Sequence, residues 1–304
     1  MTKPRLAMIG TGLMGGPMAK NLLKAGFPLT AWNRTLAKAE ALRPAGAEIA
    51  VSAAAAATSA EIAIVILESG AVVGEVLFES GKVAEALKPG ALLIDMSSIE
   101  PRQAREHAER LRRRGIGYLD APVSGGTAGA EAGTLAIMAG GGAEDFARAR
   151  PVFEAMGRPT LVGPAGSGQL AKLCNQAIVA ITVGAVSEAL LLAAAGGANP
   201  AVVRQALMGG SADSPILRNQ GQRLLDRNFV PGGAARMVQK DCKNILAEAQ
   251  RLGLRLPLAE RITELYGALA EHGGIDYDHT AVLLELERLN GGKRVTDRPD
   301  RLPG

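Results

Sequence analysis

The segment Gly10-Thr11-Gly12-Leu13-Met14-Gly15 matches the pattern GxGxxG. It lies where a predicted strand, Arg5 to Ile9, gives way to a predicted helix, Met14 to Ala25. Gly10 permits a tight turn, Gly12 lets the backbone approach a pyrophosphate, and the third glycine lets helix and strand pack closely. Free N–H groups at the helix start attract an anion. The segment therefore predicts a dinucleotide-binding turn, and we assign all six residues to the cofactor; a glycine-rich turn without a ligand is the alternative.

Short apolar segments and helical patterns alternate after this turn. Helices are predicted at Ala71–Phe78, Pro101–Arg113 and Ala143–Met156, and the predicted strands that follow the first are Leu29–Trp32, Glu61–Leu67, Ala91–Asp95, Tyr118–Asp120, Thr134–Ala139 and Thr160–Val162. Strands that alternate with helices indicate βαβ units. The first half of the chain is therefore predicted to be an α/β Rossmann domain with a doubly wound, mostly parallel sheet.

The pattern changes at Gly163-Pro164-Ala165-Gly166, after which only helices are predicted. They are expected at about 167–195, 199–208, 213–226, 234–253, 257–272 and 278–289. We therefore predict a cofactor domain over 1–164 and an all-α domain over 165–290, joined by the long helix that begins near residue 167. The polar, proline-containing residues 291–304 are predicted to form a mobile tail.

Composition excludes several classes of protein. The chain has 304 residues, 47% hydrophobic and 21% charged, with a net charge of +4, which is ordinary for a globular protein. Aromatic residues make up 3%, too few for a base-stacking surface, so no nucleic acid is expected as a partner. Three scattered histidines and two cysteines predict neither a metal site nor a disulfide framework. With no secretory segment in view, we expect a cytoplasmic protein.

One segment, Ala177 to Ala198, is nearly apolar. Glu188 interrupts it, so the uncharged run is shorter than the roughly 20 residues that a spanning helix needs. A helix buried on all sides, between domains or subunits, fits better than a membrane anchor. Because a small helical domain cannot cover so apolar a helix alone, we expect a homodimer or homotetramer.

The end of the second predicted strand bears on which dinucleotide binds. An NAD site usually places Asp or Glu about 20 residues after the first glycine, where it binds the ribose 2′-hydroxyl. This chain has Asn33-Arg34-Thr35 there, without a carboxylate. A guanidinium suits a phosphate. The sequence thus favours NADP(H) over NAD(H), with a plain surface arginine as the alternative.

The start of the long helix carries a candidate proton donor. Lys172 and Asn175 are three residues apart and share a face, and Gly168 lies one turn earlier, where it could clear space for a ligand. Among Leu, Ala and Cys the lysine should be partly desolvated, which lowers its pKa towards neutrality. A proton donor to an alkoxide needs this property. From spacing alone, a surface lysine is still the commoner case.

A second candidate follows the strand that ends at Asp120. Ser124, Gly125 and Gly126 come at the carboxyl edge of the sheet, where open α/β sheets bind ligands. A serine hydroxyl and two glycine amides can hold a small carboxylate. An ordinary turn is the alternative.

Four motifs in order resemble the β-hydroxyacid dehydrogenase family over roughly residues 5–290. They are GTGLMGGPMAKNL at 10–22, DAPVSGG at 120–126, GQLAKLCNQ at 168–176 and the pair Lys240-Asp241. The family includes 3-hydroxyisobutyrate dehydrogenases and tartronate semialdehyde (2-hydroxy-3-oxopropionate) reductases. The resemblance implies that Lys172 is the general acid/base and that Asn175 orients the substrate.

The resemblance also implies roles for other residues. The substrate carboxylate is expected at Ser124-Gly125-Gly126, with Asp241 on the substrate side. On the cofactor side it implies Lys240 at the nicotinamide end and Asp95-Met96-Ser97-Ser98 beside the nicotinamide ribose, with Ser98 as the contact. Leu67, which ends the third predicted strand, is likewise assigned to the cofactor. Asn33-Arg34-Thr35 resembles the NADP-preferring members, whereas Pro231-Gly232-Gly233 departs from a common PGF.

Three hypotheses follow. The leading one is an NADPH-dependent reductase of small 3-oxo acids, similar to tartronate semialdehyde reductase, that also works in reverse as a 3-hydroxyacid dehydrogenase. The second is an NAD-preferring dehydrogenase of the 3-hydroxyisobutyrate or L-threonate type. The third is an NADP-binding module without catalysis. In the first two hypotheses the partner is a small hydroxy- or oxo-carboxylate substrate. Independently of these hypotheses, Cys174 and Cys242 are expected in the core.

Overall fold

A computed structural model describes residues 3–304 as two compact units. The first ends at Lys172 and the second covers Leu173–Gly304. The division falls inside one continuous helix, Ser167–Ala195, so the predicted boundary at residue 164 lies just before that helix begins.

The first unit contains one nine-stranded sheet, whose main path runs β3-β2-β1-β4-β5-β6-β8-β7, with β9 beside β8. The strands are β1 Leu6–Ile9, β2 Leu29–Trp32, β3 Glu48–Ile49, β4 Ile62–Val65, β5 Leu92–Asp95, β6 Gly117–Asp120, β7 Val123–Ser124, β8 Leu135–Gly141 and β9 Gly157–Gly163. Strands β1 to β6 pair in parallel, as do β8 and β9, whereas β8 is antiparallel to both β6 and β7. The predicted doubly wound, mostly parallel sheet is confirmed.

Helices cover both faces of this sheet. They are α1 Gly15–Lys24, α2 Leu36–Glu40, α3 Ala53–Ala57, α4 Gly70–Phe78, α5 Val83–Ala86, α6 Pro101–Arg112, α7 Gly126–Ala132 and α8 Ala143–Glu154. Along β1, Leu6 and Met8 enter one core and Ala7 and Ile9 enter the other. Burial on both faces explains why the strands read as continuous apolar runs.

Local capping explains several helix starts. The Ser52 hydroxyl accepts the Ala55 N–H at the start of α3, and Ser69 does the same for Val72 at α4. Pro101 occupies the first turn of α6, where its missing N–H costs nothing. These short-range signals therefore fix where α3, α4 and α6 begin.

The second unit is helical, as predicted. Its elements are α9 Ser167–Ala195, which starts in the first unit, α10 Pro200–Leu207, a π-helical turn Ile216–Gln220, α11 Gly221–Leu225, α12 Ala235–Arg251, α13 Pro257–Glu271, a 3₁₀ turn His279–Ala281 and α14 Val282–Leu289. Cys242, Tyr266 and Leu283 belong to its main core. In α12, Cys242, Ile245 and Ala249 are spaced three and four residues apart, so they share one face of the helix, and all three are buried.

The last residues, predicted to be a mobile tail, make specific contacts with the helical unit. Val295 is buried, and its N–H donates to the Glu287 carboxylate. The Asp300 carboxylate accepts a hydrogen bond from the buried Arg227. The mobility of residues 291–304 stays a prediction. A mobile end of the chain would have to break these contacts of Val295 and Asp300.

Helix α9 differs from expectation in two respects. By length and composition it is the one helix in the described part of the chain that could cross a membrane, a criterion that core helices of globular proteins also meet. Within the single chain it is not covered on all sides, since Ile178 and Leu192 are 67% and 75% exposed, so its burial between subunits stays a prediction. Cys174 is exposed as well, so its expected place in the core was wrong. The helix buries Leu173, Ala180 and Val183 instead.

Candidate active site

The glycine-rich turn has the stereochemistry that its sequence predicts. Gly10 has φ +98°, and a Cβ there would lie 2.2 Å from the carbonyl oxygen of Ile66. A Cβ on Gly15 would lie 1.9 Å from the carbonyl oxygen of Gly10. Nothing lies within 4 Å of the corresponding position on Gly12. The outer glycines are therefore required for packing, and the middle one leaves an open approach to the backbone.

The side chain of Asn33, the residue that follows β2, holds this turn. The Asn33 Oδ1 accepts the Thr11 N–H at 3.0 Å, and the Asn33 Nδ2 donates to the Thr35 carbonyl at 3.1 Å. Asn33 thus links the turn to the end of the second strand. The Thr11 hydroxyl is buried and has no hydrogen-bond partner within residues 3–304. An unpartnered hydroxyl at the turn fits a site built to receive a polar ligand.

A cavity of about 650 Å³ opens beside the turn. It is lined by residues from the turn, the end of β2, the start of α3, the end of β4, helix α4 and the segment that follows α4. Those assigned from sequence are Gly10, Gly12, Asn33, Arg34, Thr35 and Leu67. The size and the mixture of glycine, polar and apolar lining fit a dinucleotide. Leu13, by contrast, is 84% exposed, and neither it nor Met14 is among the lining residues.

Two exposed cations line the cavity at the end of β2. Arg34 was predicted from sequence, and Lys38, one turn into α2, was missed. Neither makes an ion pair within the described residues. Lys38 lies four residues after Arg34, but Arg34 precedes α2, so the helical i,i+4 spacing gave no signal for the pair. Together they provide positive charge where a carboxylate would mark an NAD site.

The loop after β5 carries Ser98, the predicted contact, and Ser97 from the same predicted segment. The Ser97 hydroxyl accepts the Leu67 N–H at 2.9 Å, which ties the end of β4 to the end of β5. Ser98 is partly exposed next to it. Leu67 therefore has two roles in the geometry, since it lines the cavity and anchors this loop.

Two carboxyl groups lie behind that loop on adjacent strands. Asp95 and Asp120 are Cα partners across β5 and β6, and both are fully buried. Burial raises the pKa of Asp95 to about 7, although hydrogen bonds from Ser97 oppose the shift. Burial also raises the pKa of Asp120 to about 6, against the N–H donors of Gly166 and Gln169. Neither is in an ion pair within residues 3–304.

The predicted carboxylate-binding segment sits where β7 meets α7. Ser124 ends β7, opposite Ala136 of β8, and Gly125 and Gly126 follow with φ +134° and +62°. Helix α7 begins at Gly126. Positive φ at both glycines turns the chain directly into the helix, and the two glycines are exposed. Their backbone amides are accordingly available at a helix start.

Lys172 lies in the second turn of α9, within the first unit. Its side chain is partly buried. The sequence suggested that Gly168 clears space for a ligand, and the structure shows that it does not. A Cβ there would lie 2.3 Å from the Met138 carbonyl oxygen and 2.4 Å from that of Asp120. The glycine is needed because the first turn of α9 packs directly on the sheet.

The second unit holds a chain of polar side chains. The Asn175 Nδ2 donates to the Gln176 Oε1 at 2.8 Å, and the Gln176 Nε2 donates to the Asp241 Oδ2 at 2.7 Å. The Lys240 Nζ is 3.6 Å from the Asp241 Oδ1. Gln176 thus connects the predicted residues Asn175 and Asp241, and Asp241 in turn lies beside the predicted Lys240. Gln176 belongs to the motif at 168–176, but no role was predicted for it from the sequence.

Two family models match the chain in tandem. The first, described as the NAD-binding domain of 6-phosphogluconate dehydrogenase, matches residues 5–168. The second, described as the NAD-binding domain of NADP-dependent 3-hydroxyisobutyrate dehydrogenase, matches residues 166–286. The chain is also 42% identical to 2-hydroxy-3-oxopropionate reductase of Escherichia coli (strain K12), over 95% of this chain and 99% of that one. The protein belongs to the β-hydroxyacid dehydrogenase family.

Similarity to other members of the β-hydroxyacid dehydrogenase family supports this assignment. A 3-hydroxyisobutyrate dehydrogenase of Pseudomonas aeruginosa is 39% identical over 95% of this chain and 99% of its own length. The solved structure of Mycobacterium tuberculosis 3-hydroxyisobutyrate dehydrogenase with L-serine has a TM-score of 0.82, with 30% identity over 94% of this chain and 99% of that one. This β-hydroxyacid dehydrogenase is therefore an NAD(P)-dependent oxidoreductase, and the hypothesis of a binding module without catalysis is not retained.

Proposed function

We propose that the protein is an NADPH-dependent reductase of small 3-oxo acids, of the tartronate semialdehyde type, that also oxidises the corresponding 3-hydroxy acids. The observation that carries the proposal is the end of β2, where Arg34 and Lys38 face the cofactor cavity and no carboxylate follows the strand. The similarity to 2-hydroxy-3-oxopropionate reductase along nearly the whole chain supports the substrate class.

The cofactor preference has a physical basis in charge. A ribose 2′-phosphate beside Arg34 and Lys38 gains two cations, whereas the segment that follows β2 has no Asp or Glu of the kind that accepts the 2′-hydroxyl in an NAD site. The buried, unpartnered Thr11 hydroxyl and the open Gly12 would serve the pyrophosphate. These are the residues expected to hold NADP(H).

The cofactor supplies or accepts the hydride when bound. The Lys172 ammonium is expected to donate a proton to the substrate oxygen as negative charge develops on it, and to take the proton back in the oxidative direction. Ser124, Gly125 and Gly126 would hold the substrate carboxylate through one hydroxyl and backbone amides. Lys240, beside Asp241, is assigned to the nicotinamide end.

The hydrogen-bonded chain in the second unit suggests how Asn175 orients the substrate. Its Nδ2 is engaged by Gln176, which is itself held by Asp241. This arrangement fixes the rotamer of the amide and directs its acceptor role to Oδ1. An oriented acceptor would align the substrate hydroxyl for transfer.

The cofactor assignment is tested by measuring KM for NADPH and NADH in the wild type and in Arg34→Ala/Lys38→Ala. We expect the wild type to prefer NADPH at least tenfold, and the double variant to lose that preference with little change in the KM for NADH. A wild type that prefers NADH would overturn the assignment.

The lysine assignment is tested with Lys172→Ala and with Lys243→Ala, an exposed lysine of α12 as the control. We expect the first to lower kcat by about 10²–10⁴-fold, the usual contribution of general acid–base catalysis, with NADPH binding retained. The control should keep kcat. Near-normal turnover in Lys172→Ala would refute the role.

The 39% identity to a 3-hydroxyisobutyrate dehydrogenase favours a second candidate, oxidation of 3-hydroxyisobutyrate or a related acid with NAD. Rates of oxidation on a panel of hydroxy acids with each cofactor, and of NADPH consumption with tartronate semialdehyde, separate the two. The faster pair identifies the activity.

A homo-oligomer and a cytoplasmic location also belong to this proposal. The exposed Ile178 and Leu192 of α9 support an oligomer, since large apolar side chains on one helix favour burial against another copy. Sedimentation at micromolar concentration tests it, and a monomer throughout would contradict it.

A further inference from the structure

We propose that Asp120 and Gln169 are positioning residues that hold the first turn of α9 in one register, and through it the Lys172 ammonium. The inference rests on the proposed role of Lys172. It concerns groups that touch neither the substrate nor the reacting atoms in that role.

Asp120 caps α9 from a neighbouring strand. Its Oδ1 accepts the Gly166 N–H at 2.7 Å and its Oδ2 accepts the Gln169 N–H at 2.8 Å. The side chain is fully buried, and both carboxylate oxygens are therefore occupied by the backbone at the helix start. A carboxylate there also complements the positive end of the helix dipole.

Gln169 connects the same turn to the loop after β5. Its Oε1 accepts the Ile99 N–H at 3.0 Å, and its Nε2 donates to the Ser97 carbonyl at 2.8 Å. The side chain is 1% exposed. Both ends of the amide are used, so the loop that carries Ser97 and Ser98 cannot shift relative to α9 without breaking a buried hydrogen bond.

Close packing leaves the turn no alternative position. A Cβ on Gly140 would lie 2.6 Å from the Gly168 nitrogen and 2.7 Å from the Asp120 Oδ1. Because Gly168 also lies against β6 and β8, a rotation or translation of the turn meets backbone atoms. Lys172 lies one turn beyond Gly168, and its Cα position follows from this seating.

The choice of a carboxylate points to positioning rather than to stability. A buried carboxyl without a cation loses hydration, and an asparagine or serine caps a helix without that cost. What Asp120 alone provides is two acceptor oxygens for two N–H groups in different parts of the turn. General acid catalysis depends on such precision, since a displacement of about 1 Å can cost 10²-fold.

The test compares Asp120→Asn and Gln169→Met with a matched cap variant, Asn199→Ala. The Asn199 side chain caps α10 by accepting the Ala201 and Val202 N–H groups, outside the proposed machinery. We expect both test variants to lose at least tenfold in kcat, with the Kd for NADPH unchanged within twofold by fluorescence titration. Asn199→Ala should lose thermal stability and keep kcat within twofold. Equal losses of kcat in all three variants would overturn the inference.

A double variant separates positioning from general damage. If Asp120 and Gln169 act through Lys172, then Gln169→Met in the Lys172→Ala background should lower kcat no further. A full additional tenfold loss there would refute the inference. Normal turnover in Lys172→Ala alone would refute the proposed function instead. Loss in Lys172→Ala with normal kcat in both Asp120→Asn and Gln169→Met would refute only the positioning role. Should Asp120→Asn fail to fold, Gln169→Met carries the test by itself.

Discussion

Buried acids are treated differently in the two units. In the first, Asp95 and Asp120 accept hydrogen bonds from neutral donors such as the Ser97 and Gly166 N–H groups. In the second, the Glu287 carboxylate receives both Nη atoms of the buried Arg227, at 2.7 and 2.8 Å. Because the partners of Asp95 and Asp120 are neutral, burial raises the pKa of these two carboxyl groups to about 7 and about 6, whereas the Glu287 carboxylate is paired with a guanidinium.

The difference follows from what each unit does with its backbone. Strand ends and helix starts in the first unit supply free N–H groups, which carboxyl groups can satisfy. At Arg227 and Glu287 in the second unit, two side chains satisfy each other instead. We therefore expect pH to act on Asp95 in the first unit, and loss of the ion pair to act on Glu287 in the second.

The largest effect is expected for Arg227→Met. It leaves Glu287 buried without its cation, which typically costs about 3–5 kcal/mol. The free energy of unfolding in urea measures it. Arg261→Met removes an exposed pair with Glu264 and should cost at most about 0.5 kcal/mol. Similar losses of unfolding free energy in Arg227→Met and Arg261→Met would contradict the difference expected between the buried and the exposed ion pair.

The next effect concerns Asp95. Its pKa of about 7 in the folded protein exceeds the usual value of an unfolded chain, so the folded state binds the extra proton between about pH 4 and pH 7. Stability must therefore fall as pH rises through this window, by up to about 1.4 kcal/mol per pH unit for one proton. Asp95→Asn should flatten the fall. An identical pH profile of unfolding in the two proteins would contradict it.

His107 should change the stability of the protein with pH in the opposite direction to Asp95. Burial, together with the charge of the nearby Arg110, lowers its pKa to about 4, so between about pH 4 and pH 6.5 the unfolded chain binds more protons. Stability should fall as pH drops through that window, by about 2 kcal/mol at pH 5. His107→Leu should remove this acid sensitivity, measured by thermal unfolding at pH 5 and pH 7. A variant that is as acid-sensitive as the wild type would show that His107 is not the group responsible.

The smallest effect tests the chain end. Val295 is buried, so Val295→Ala should cost about 1–2 kcal/mol if the end stays packed. The control is Val51→Ala, since Val51 is 91% exposed and its truncation should cost almost nothing. Two variants with equal midpoints in urea would favour the mobile tail predicted from sequence.

Much of the first unit was predictable from sequence because its signals are local. Apolar runs identified the main strands, and the glycine pattern identified the turn at Gly10. The two-residue β3, Glu48–Ile49, was missed because so short a strand has no pattern of its own. Gln176 and Lys38 were missed because their roles depend on neighbours that are distant in sequence or lie in another type of element.

Cys174 shows the limit of reasoning from one helix. Apolar residues are spread over most of the length of its helix, so the hydrophobic pattern does not say which face is buried, and the structure exposes Cys174 while burying Leu173. Gly168 shows the same limit, since a glycine in a sequence can mark close contact with a ligand or close packing on a strand, and here the structure shows the packing.

The sequence by itself determined the order of strands and helices, the dinucleotide turn and the family, because backbone conformation and apolar periodicity are written in neighbouring residues. Only the tertiary structure decided which polar groups share a buried space: Asp120 with the start of α9, Gln176 with Asp241, and Arg227 with Glu287. Such pairings join residues far apart in the chain, and their energies depend on burial and on distances of about 3 Å, which no local pattern records.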